Sequence, residues 1–456
     1  MTTPTTQWLP TRTGWLHTHQ GAAYLAILVA SLFVLPSNVV IGAVGGNGSP
    51  ARLLSLAAVG LLLTAWIRPG RDRQPMTVDP GIVGLIVFLA WCFVSFAVAK
   101  FRLLEVTERT GATRALLTLI AFTGVALFAA VMLRRRDDID RVVMTIAVGG
   151  SFSALIGVIQ SRVPFDYATT VLLPGFAISI GNIVDTRNDF IRVIGTSINP
   201  IEFGVVMGAI APFGLHLAIY GRTKRQQQLG KINSVLCIGA APLAVSRSAV
   251  LSLAISLIVY AITLTGQQRL KAVVVGIVGT MVYQLIQPGL LGTIKGLFLH
   301  ANEDSSIAAR TEDYPAIFAL ADQSLWFGRG LGTFRPDVYF FLDNQWLLTF
   351  VESGITGVLA MFAVFLSAVL LVQGARRRSA DAPSRSLCQA VLGGVVAFAV
   401  SAYTFDMLSF QQVTLLTGLY VGLACALRAS AVAGTLEDES CLRLSTEKNG
   451  PPDGNT

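Results

Sequence analysis

Four side chains stand out as groups able to do chemistry together: Arg192, Arg247, Arg310 and Asp343. A guanidinium stays charged and presents a donor fork that matches phosphate oxygens in pairs. A carboxylate at the start of an apolar run can take a proton from an attacking hydroxyl. Arg192 and Arg310 fall in long stretches between apolar runs, Arg247 stands between two runs, and Asp343 with Asn344 opens another. If the runs are helices that converge at one end, three cations face one carboxylate above a bilayer surface. That arrangement suits a diphosphate group, and ionisable residues near membrane depth are functional hypotheses by default.

Each of these residues also has a plainer reading. Arg247, in LAVSRSAVLSL, can be an arginine snorkelling from a helix end. Arg192 can be an ordinary loop cation, and Arg310 can pair with Glu312 or Asp313. Asp343 occupies an ordinary N-cap position, where a helix N-terminus stabilises the ionised carboxylate and weakens it as a base. In RVIGTSINPIEFG, Asn199 caps a helix, Pro200 suits its first turn, and Glu202 stands three residues after the cap, as in a capping box. Glu202 therefore reads as structural before catalytic, and the free amides of that helix N-terminus are useful for an anion. Asn199, Glu202 and Asn344 are supporting residues on this reading.

Weaker signals lead elsewhere. Gly328-Arg329-Gly330-Leu331-Gly332 looks like a phosphate loop but lacks the strand-turn-helix context, so a flexible turn is the stronger reading. His300 has no second His or Cys near it and reads as a surface histidine. Asp185 and Asp189, in DTRND, read as a turn rather than a metal pair. Asp406 is a second acid or a loop cap. The cysteines Cys92, Cys237, Cys388, Cys425 and Cys441 show no zinc spacing, and no disulfide is expected. No metal or cofactor is expected.

The elements that must position these groups follow from composition. Of 456 residues, 53% are hydrophobic and 13% charged, with a net charge of +8, and the mean hydropathy is +0.64. This excludes an ordinary soluble enzyme, a disordered chain and a nucleic-acid binder, because a soluble fold needs more polar surface. A membrane-crossing helix needs about 20 largely apolar residues. Twelve runs qualify, at roughly 21–40, 51–67, 81–99, 112–133, 141–160, 200–220, 232–246, 248–265, 271–287, 343–372, 387–404 and 410–428. Pro242 and the total length predict a tight reversal just before Arg247. The fold class is an all-α polytopic membrane protein with about twelve transmembrane helices.

With both termini inside, 21 of the 34 basic residues fall in cytoplasmic segments, as the positive-inside rule asks. The first run lacks a small-x-small cleavage site and is read as a retained span. Lys100–Arg114 is expected to lie as an amphipathic interfacial stretch. Residues 1–428 form the membrane domain. Within it, 288–342 is a large extracytoplasmic loop with short helices, broken near Pro315 and at the glycines from Gly328 to Gly332, and 161–199 is a second long outer segment. Residues 429–456 are expected to be a disordered cytoplasmic tail.

Four pieces, RVIGTSINPIEFG, LAVSRSAVLSL, ARTEDYPAIFALADQSLWFGRGLGTF and LDNQWLLTFVESGITGVLAMF, stand in this order between about Arg192 and Phe362. Together they resemble the O-antigen ligase and O-antigen polymerase family of membrane glycosyltransferases. The resemblance implies a GT-C-like helical fold and an undecaprenyl-diphosphate-linked glycan donor. It implies transfer to an acceptor hydroxyl on the outer face, without nucleotide sugar or metal. The family's diphosphate-holding arginines carry over to Arg192, Arg247 and Arg310. Many ligases of the family have a histidine before the asparagine of the fourth motif. This chain has Asp343 there, which leans the expectation towards a polymerase.

The expectation is thus a polysaccharide polymerase in the inner membrane of a bacterium. Its partners are the lipid-linked donor, an acceptor glycan, the bilayer and other polysaccharide-export proteins, with no nucleic acid. The alternatives are a ligase that moves finished glycan to a different acceptor, and a flippase for lipid-linked glycan. A transporter would carry binding groups near the bilayer midplane and paired repeats, whereas the candidate groups here gather at one side.

Overall fold

Backbone amides without water must be satisfied internally, so apolar runs of this length become helices. A computed structural model describes residues 7–8, 18–67, 75–76, 80–181, 185–187, 190–299, 314–322 and 324–448. The helices are α1 (Thr18–Val34), α2 (Pro50–Ile67), α3 (Pro80–Lys100), α4 (Val106–Met132), α5 (Arg136–Gln160), the single turn α6 (Tyr167–Thr170), α7 (Pro200–Tyr220), α8 (Lys224–Ala240), α9 (Arg247–Ala261), α10 (Gly266–Ile286), α11 (Leu290–Leu299), α12 (Tyr314–Asp322), α13 (Gln345–Arg378), α14 (Ala382–Ser401) and α15 (Gln411–Lys448). Each of the twelve apolar runs falls on one of them. Among the described residues, nine helices are long and apolar enough to cross a membrane, against about twelve expected. The shortfall has a physical origin: α1 and α9 are short, and α8 opens with the polar stretch KRQQQLGKIN.

The all-α expectation is met with small exceptions. Three antiparallel two-stranded ribbons pair β1 (Gln7–Trp8) with β3 (Pro75–Met76), β2 (Val39–Ile41) with β4 (Phe176–Ile178), and β5 (Thr186–Arg187) with β6 (Phe190–Ile191). The β2–β4 register sets Val39 opposite Ile178 and Ile41 opposite Phe176. That ribbon anchors the 161–199 segment over the end of α1.

The core forms around α7, whose Phe203, Val206, Ile210 and Phe213 are fully buried. Close helix approach rests on small residues. A Cβ on Gly204 would meet that of Ala249 at 2.2 Å, and one on Gly394 would meet the Tyr420 ring at 2.1 Å. By contrast, α10 buries none of its residues and presents apolar side chains on all sides.

Several local expectations change. Lys100–Arg114 is a short turn over 101–105 followed by the first turns of a helix. α3 ends at Lys100 and α4 starts at Val106, where Glu105 and Glu108 form a capping box. Pro315 sits in the first turn of α12 instead of breaking it, a position where its missing N–H costs nothing. α15 runs on as helix to Lys448, across most of the stretch expected to be an irregular tail. The expected reversal before Arg247 is a 3₁₀ turn, Ala241–Ala244, followed by Val245 in a left-handed conformation.

The tenth apolar run is not one continuous helix. α13 breaks at Gly354, with φ 66° and ψ −170°. Such a break inside a membrane span frees backbone groups that must find partners. The stretch from Leu325 to Gly330 supplies them. Arg329 N donates to Val351 O (2.9 Å), Gly330 N to Glu352 O (2.7 Å), and Ile355 N to Leu325 O (3.0 Å). The two backbones touch: a Cβ on Gly354 would lie 2.3 Å from Trp326 O. A positive φ adds about 1–2 kcal/mol of strain for any residue with a Cβ. Gly354→Ala should therefore lower the thermal midpoint of the detergent-solubilised protein by several degrees. Gly276→Ala, inside α10 with nothing within 4 Å, should not lower it and should raise it slightly through helix propensity.

Candidate functional site

The described candidates Arg192, Arg247 and Asp343 stand at one end of the bundle, where a buried carboxylate organises the backbone. Asn199 caps α7 by accepting from Ile201 N at 2.8 Å. Glu202 departs from the expected capping box. One oxygen accepts from Ile198 N (3.1 Å), one residue before the cap. The other accepts from Gln412 N (2.8 Å) and Val413 N (3.2 Å), in the first turn of α15. Glu202 is 0% exposed, so it lies out of reach of substrate and ties two helix N-termini together. Gln412 extends the tie, donating to Leu32 O (3.2 Å) and accepting from Ser197 Oγ.

Arg192 and Arg247 lie on the same turn. Arg192 Nε donates to Ala244 O (3.3 Å), and Val193 N to Leu243 O (3.3 Å), so the segment that follows β6 rests on the 3₁₀ turn. Val245, fully buried with φ 45°, then reverses the chain so that Arg247 is the first residue of α9. A β-branched residue in this region is strained and persists only where its surroundings enforce it. Arg247 Nε donates to Leu297 O of α11 at 2.6 Å. Arg192 is not idle: its Nη1 pairs with Asp185 Oδ2 at 2.6 Å. Asp185 leads into β5, which pairs with β6; Asp189 lies outside the described residues.

A cation at a helix N-terminus is poorly placed with respect to the helix dipole. Ser246, in the cap position of α9, makes no side-chain cap bond. A helix end without a side-chain cap is the kind of place at which anions bind.

Asp343 is not the cap of α13. Asn344 is, accepting from Trp346 N (3.0 Å) and Leu347 N (3.1 Å). The capping alternative for Asp343 is thus removed, because the cap lies one residue on. The segment is pinned by Gln345, whose N–H donates to Ala402 O (2.8 Å) and whose Oε1 accepts from Leu408 N (2.9 Å). This brings Asp343 to the corner between α14 and α15. There burial pushes the half-buried Asp406 up to about 7, and the facing charge of Asp343 pushes the same way.

A second group of arginines was missed by spacing. Arg52, in the first turn of α2, is 4% exposed and donates to Asn47 Oδ1 at 3.1 Å. It is within electrostatic reach of Arg114 on α4, and Arg114 of Arg335. Arg335 lies on Gly111, where a Cβ would meet its Cδ at 2.6 Å. Among the described residues no carboxylate pairs with Arg52 or Arg114; Arg335 has Asp337 at 3.5 Å. The available signal was an arginine within an apolar helix, read above only as topology.

The glycine-rich stretch is no phosphate loop. Its amides are spent on α13 and on Ser95 O. Arg329 donates to Tyr339 Oη and lies 3.8 Å from Glu108. Arg310 and His300 lie outside the described residues. Among the described residues, no group of three or more His, Cys, Asp and Glu could hold a metal ion.

Residues 232–362 match the family model described as O-antigen ligase. The match spans Arg247, Arg310, Asp343, Asn344 and the break at Gly354, and leaves out Arg192, Glu202 and Asp406. It supports assignment to an O-antigen ligase/polymerase family. No curated protein matches the chain. Together with the apolar helices, the match points broadly to a glycosyltransferase-type membrane enzyme of the bacterial inner membrane, acting on lipid-linked glycans.

Asp406 gives this corner a pH signature. Its folded pKa of about 7 stands above the ordinary 3.8, so the fold favours the protonated form. The stability it allows is complete below about 4 and is lost as pH rises through about 7. Asp406→Asn should therefore gain thermal stability relative to the parent as pH rises from about 4 to 7, with no further gain above. Parallel melting curves across that range check this.

Proposed function

We propose that this protein polymerises polysaccharide on the outer face of the plasma membrane, moving glycan from a polyprenyl-diphosphate-linked donor to an acceptor glycan. Both termini lie in the cytoplasm on this reading, and no metal or cofactor takes part. The observation that carries it is the convergence of Arg192 and Arg247 on one strained turn at the uncapped N-terminus of α9. Guanidinium forks and free helix amides are a match for a diphosphate. Arg310 joins this clamp on the family resemblance.

In the reaction, the acceptor hydroxyl oxygen attacks the anomeric carbon of the donor. The bond from that carbon to the diphosphate oxygen breaks, and the hydroxyl proton passes to Asp343. The diphosphate leaves on its lipid, its growing charge held by the arginines, an electrostatic effect made stronger by preorganisation. Asp406, inclined to keep its own proton near neutral pH, spares Asp343 from a second full charge. Asn344, and not Asp343, caps α13.

Two features favour a polymerase over a ligase. Asp343 stands where many ligases of the family have a histidine. The Arg52, Arg114 and Arg335 group offers a second place for a phosphate, and a polymerase handles two lipid-linked substrates at once. The gathering of these charges at one end speaks against a flippase, which needs groups at the midplane.

Transfer by purified protein, measured with labelled lipid-linked glycan, tests the assignments. Arg247→Lys keeps the charge and loses the fork, and should lose most transfer at normal abundance; full activity would leave Arg247 a snorkelling side chain. Asp343→Asn leaves the cap in place and should melt like the parent while transfer slows by about 10²-fold or more. Parental rates in that variant would pass the role of base to Asp406.

A further inference from the structure

A cavity of the molecule lies far from this chemistry. It encloses about 650 Å³ at the opposite end of the bundle, between the ends of α9 and α13 and the start of α14. Its polar side is set by Arg376 and Arg377, in the last turn of α13, and Arg385, in the first turns of α14. Gln373, Ser379 and Gln389 add to the polar side, and Val369, Leu392 and Ile262 form an apolar part of the wall. Ile262 is 54% exposed, so the cavity opens sideways onto surface that meets acyl chains in a bilayer.

Basic residues at this end serve the positive-inside rule, which by itself asks for no ligand. What separates these three is their pairing. Elsewhere at the same end, Arg136 meets Asp140 at 2.7 Å, and Arg222 meets Asp137 at 2.5 Å and Asp140 at 2.7 Å. Acids are therefore available at this level and are used. Among the described residues, none pairs with Arg376, Arg377 or Arg385. Arg385 is further disfavoured by its place near the positive end of α14. Three cations without an ion pair among the described residues, around a cavity of this volume with an apolar part to its wall, form a receptacle for a compact anion on an apolar stem.

We propose that this cavity binds the phosphate-bearing headgroup of an anionic phospholipid, with its acyl chains along Val369 and Leu392. Basic pockets between membrane helices are a general means of holding such headgroups. The lipid would wedge between α9 and α13, the two helices whose far ends carry Arg247 and Asp343. The inference does not depend on the reading of that far site.

The test uses the full-length protein purified in detergent and stripped of lipid. Native mass spectrometry counts retained lipid after addition of phosphatidylglycerol or phosphatidylcholine with the same acyl chains, and melting curves run in parallel. The parent should retain phosphatidylglycerol about tenfold or more over phosphatidylcholine, and only phosphatidylglycerol should raise its melting temperature. Combined Arg376→Gln, Arg377→Gln and Arg385→Gln should abolish both effects. If that variant fails to fold, Val369→Trp, which fills the wall and keeps every charge, should lose phosphatidylglycerol retention in the same assay. Equal retention of the two lipids by the parent, or parental retention by the folded variants, would overturn the proposal. So would a melting shift with inorganic phosphate equal to that with phosphatidylglycerol, which would assign the cavity to a soluble phosphate ligand.

Discussion

The geometry of the candidate site depends on one buried carboxylate. Glu202 is fully buried, where a carboxyl group without partners would be costly. It is stabilised there by three backbone N–H groups and by the positive ends of α7 and α15. Two helices that are more than 200 residues apart in sequence are thereby fixed end to end. The segment leading into α7 carries Arg192, and the corner leading into α15 carries Asp406. Gln411 and Gln412, the first residues of α15, spread the same anchorage to Ser49 and Leu32. The clamp side and the carboxylate side of the site thus hang from one knot of hydrogen bonds.

Asp343 is held by a second constraint, the break in α13. The loop that satisfies the broken backbone also buries Phe334 and Leu342 against Ile317 and Val351 in a separate small core. Glu352 secures it by accepting from Phe334 N at 3.1 Å. Asp343 therefore stands between a rigid loop on one side and the Gln345 contacts on the other. In the proposed role of base, Asp343 would lose little freedom when substrate arrives, which is where positioning contributes most to rate.

Much of the frame was legible in the sequence, because membrane helices are written in local hydropathy. The reversal before Arg247 was readable from Pro242 and from length, and the Asn199 cap from residue types alone. What escaped was long-range. The second oxygen of Glu202 binds a helix that hydropathy cannot associate with α7. Asp406 and Asp343 are 63 residues apart in sequence, and only the corner between α14 and α15 brings their charges face to face. Arg52, Arg114 and Arg335 come from three separate segments and share no motif. The glycines from Gly328 to Gly332 were visible, but their use, fitting against a broken helix, required the break to be seen. Asp343 was misread in part, since spacing could not tell which of two adjacent cap-forming residues does the capping.

The central claim is that one end of this bundle joins glycan to glycan at the expense of a lipid diphosphate. The most direct measurement is reconstitution of the purified protein in proteoliposomes with a single polyprenyl-diphosphate-linked oligosaccharide, without nucleotide sugar and with chelator present, followed by sizing of the products. The account predicts a ladder of lipid-linked products spaced by one repeat unit, with free polyprenyl diphosphate released at each step. Movement of the substrate across the bilayer without new glycosidic bonds would contradict it. So would a substrate left unextended until a chemically different acceptor is supplied.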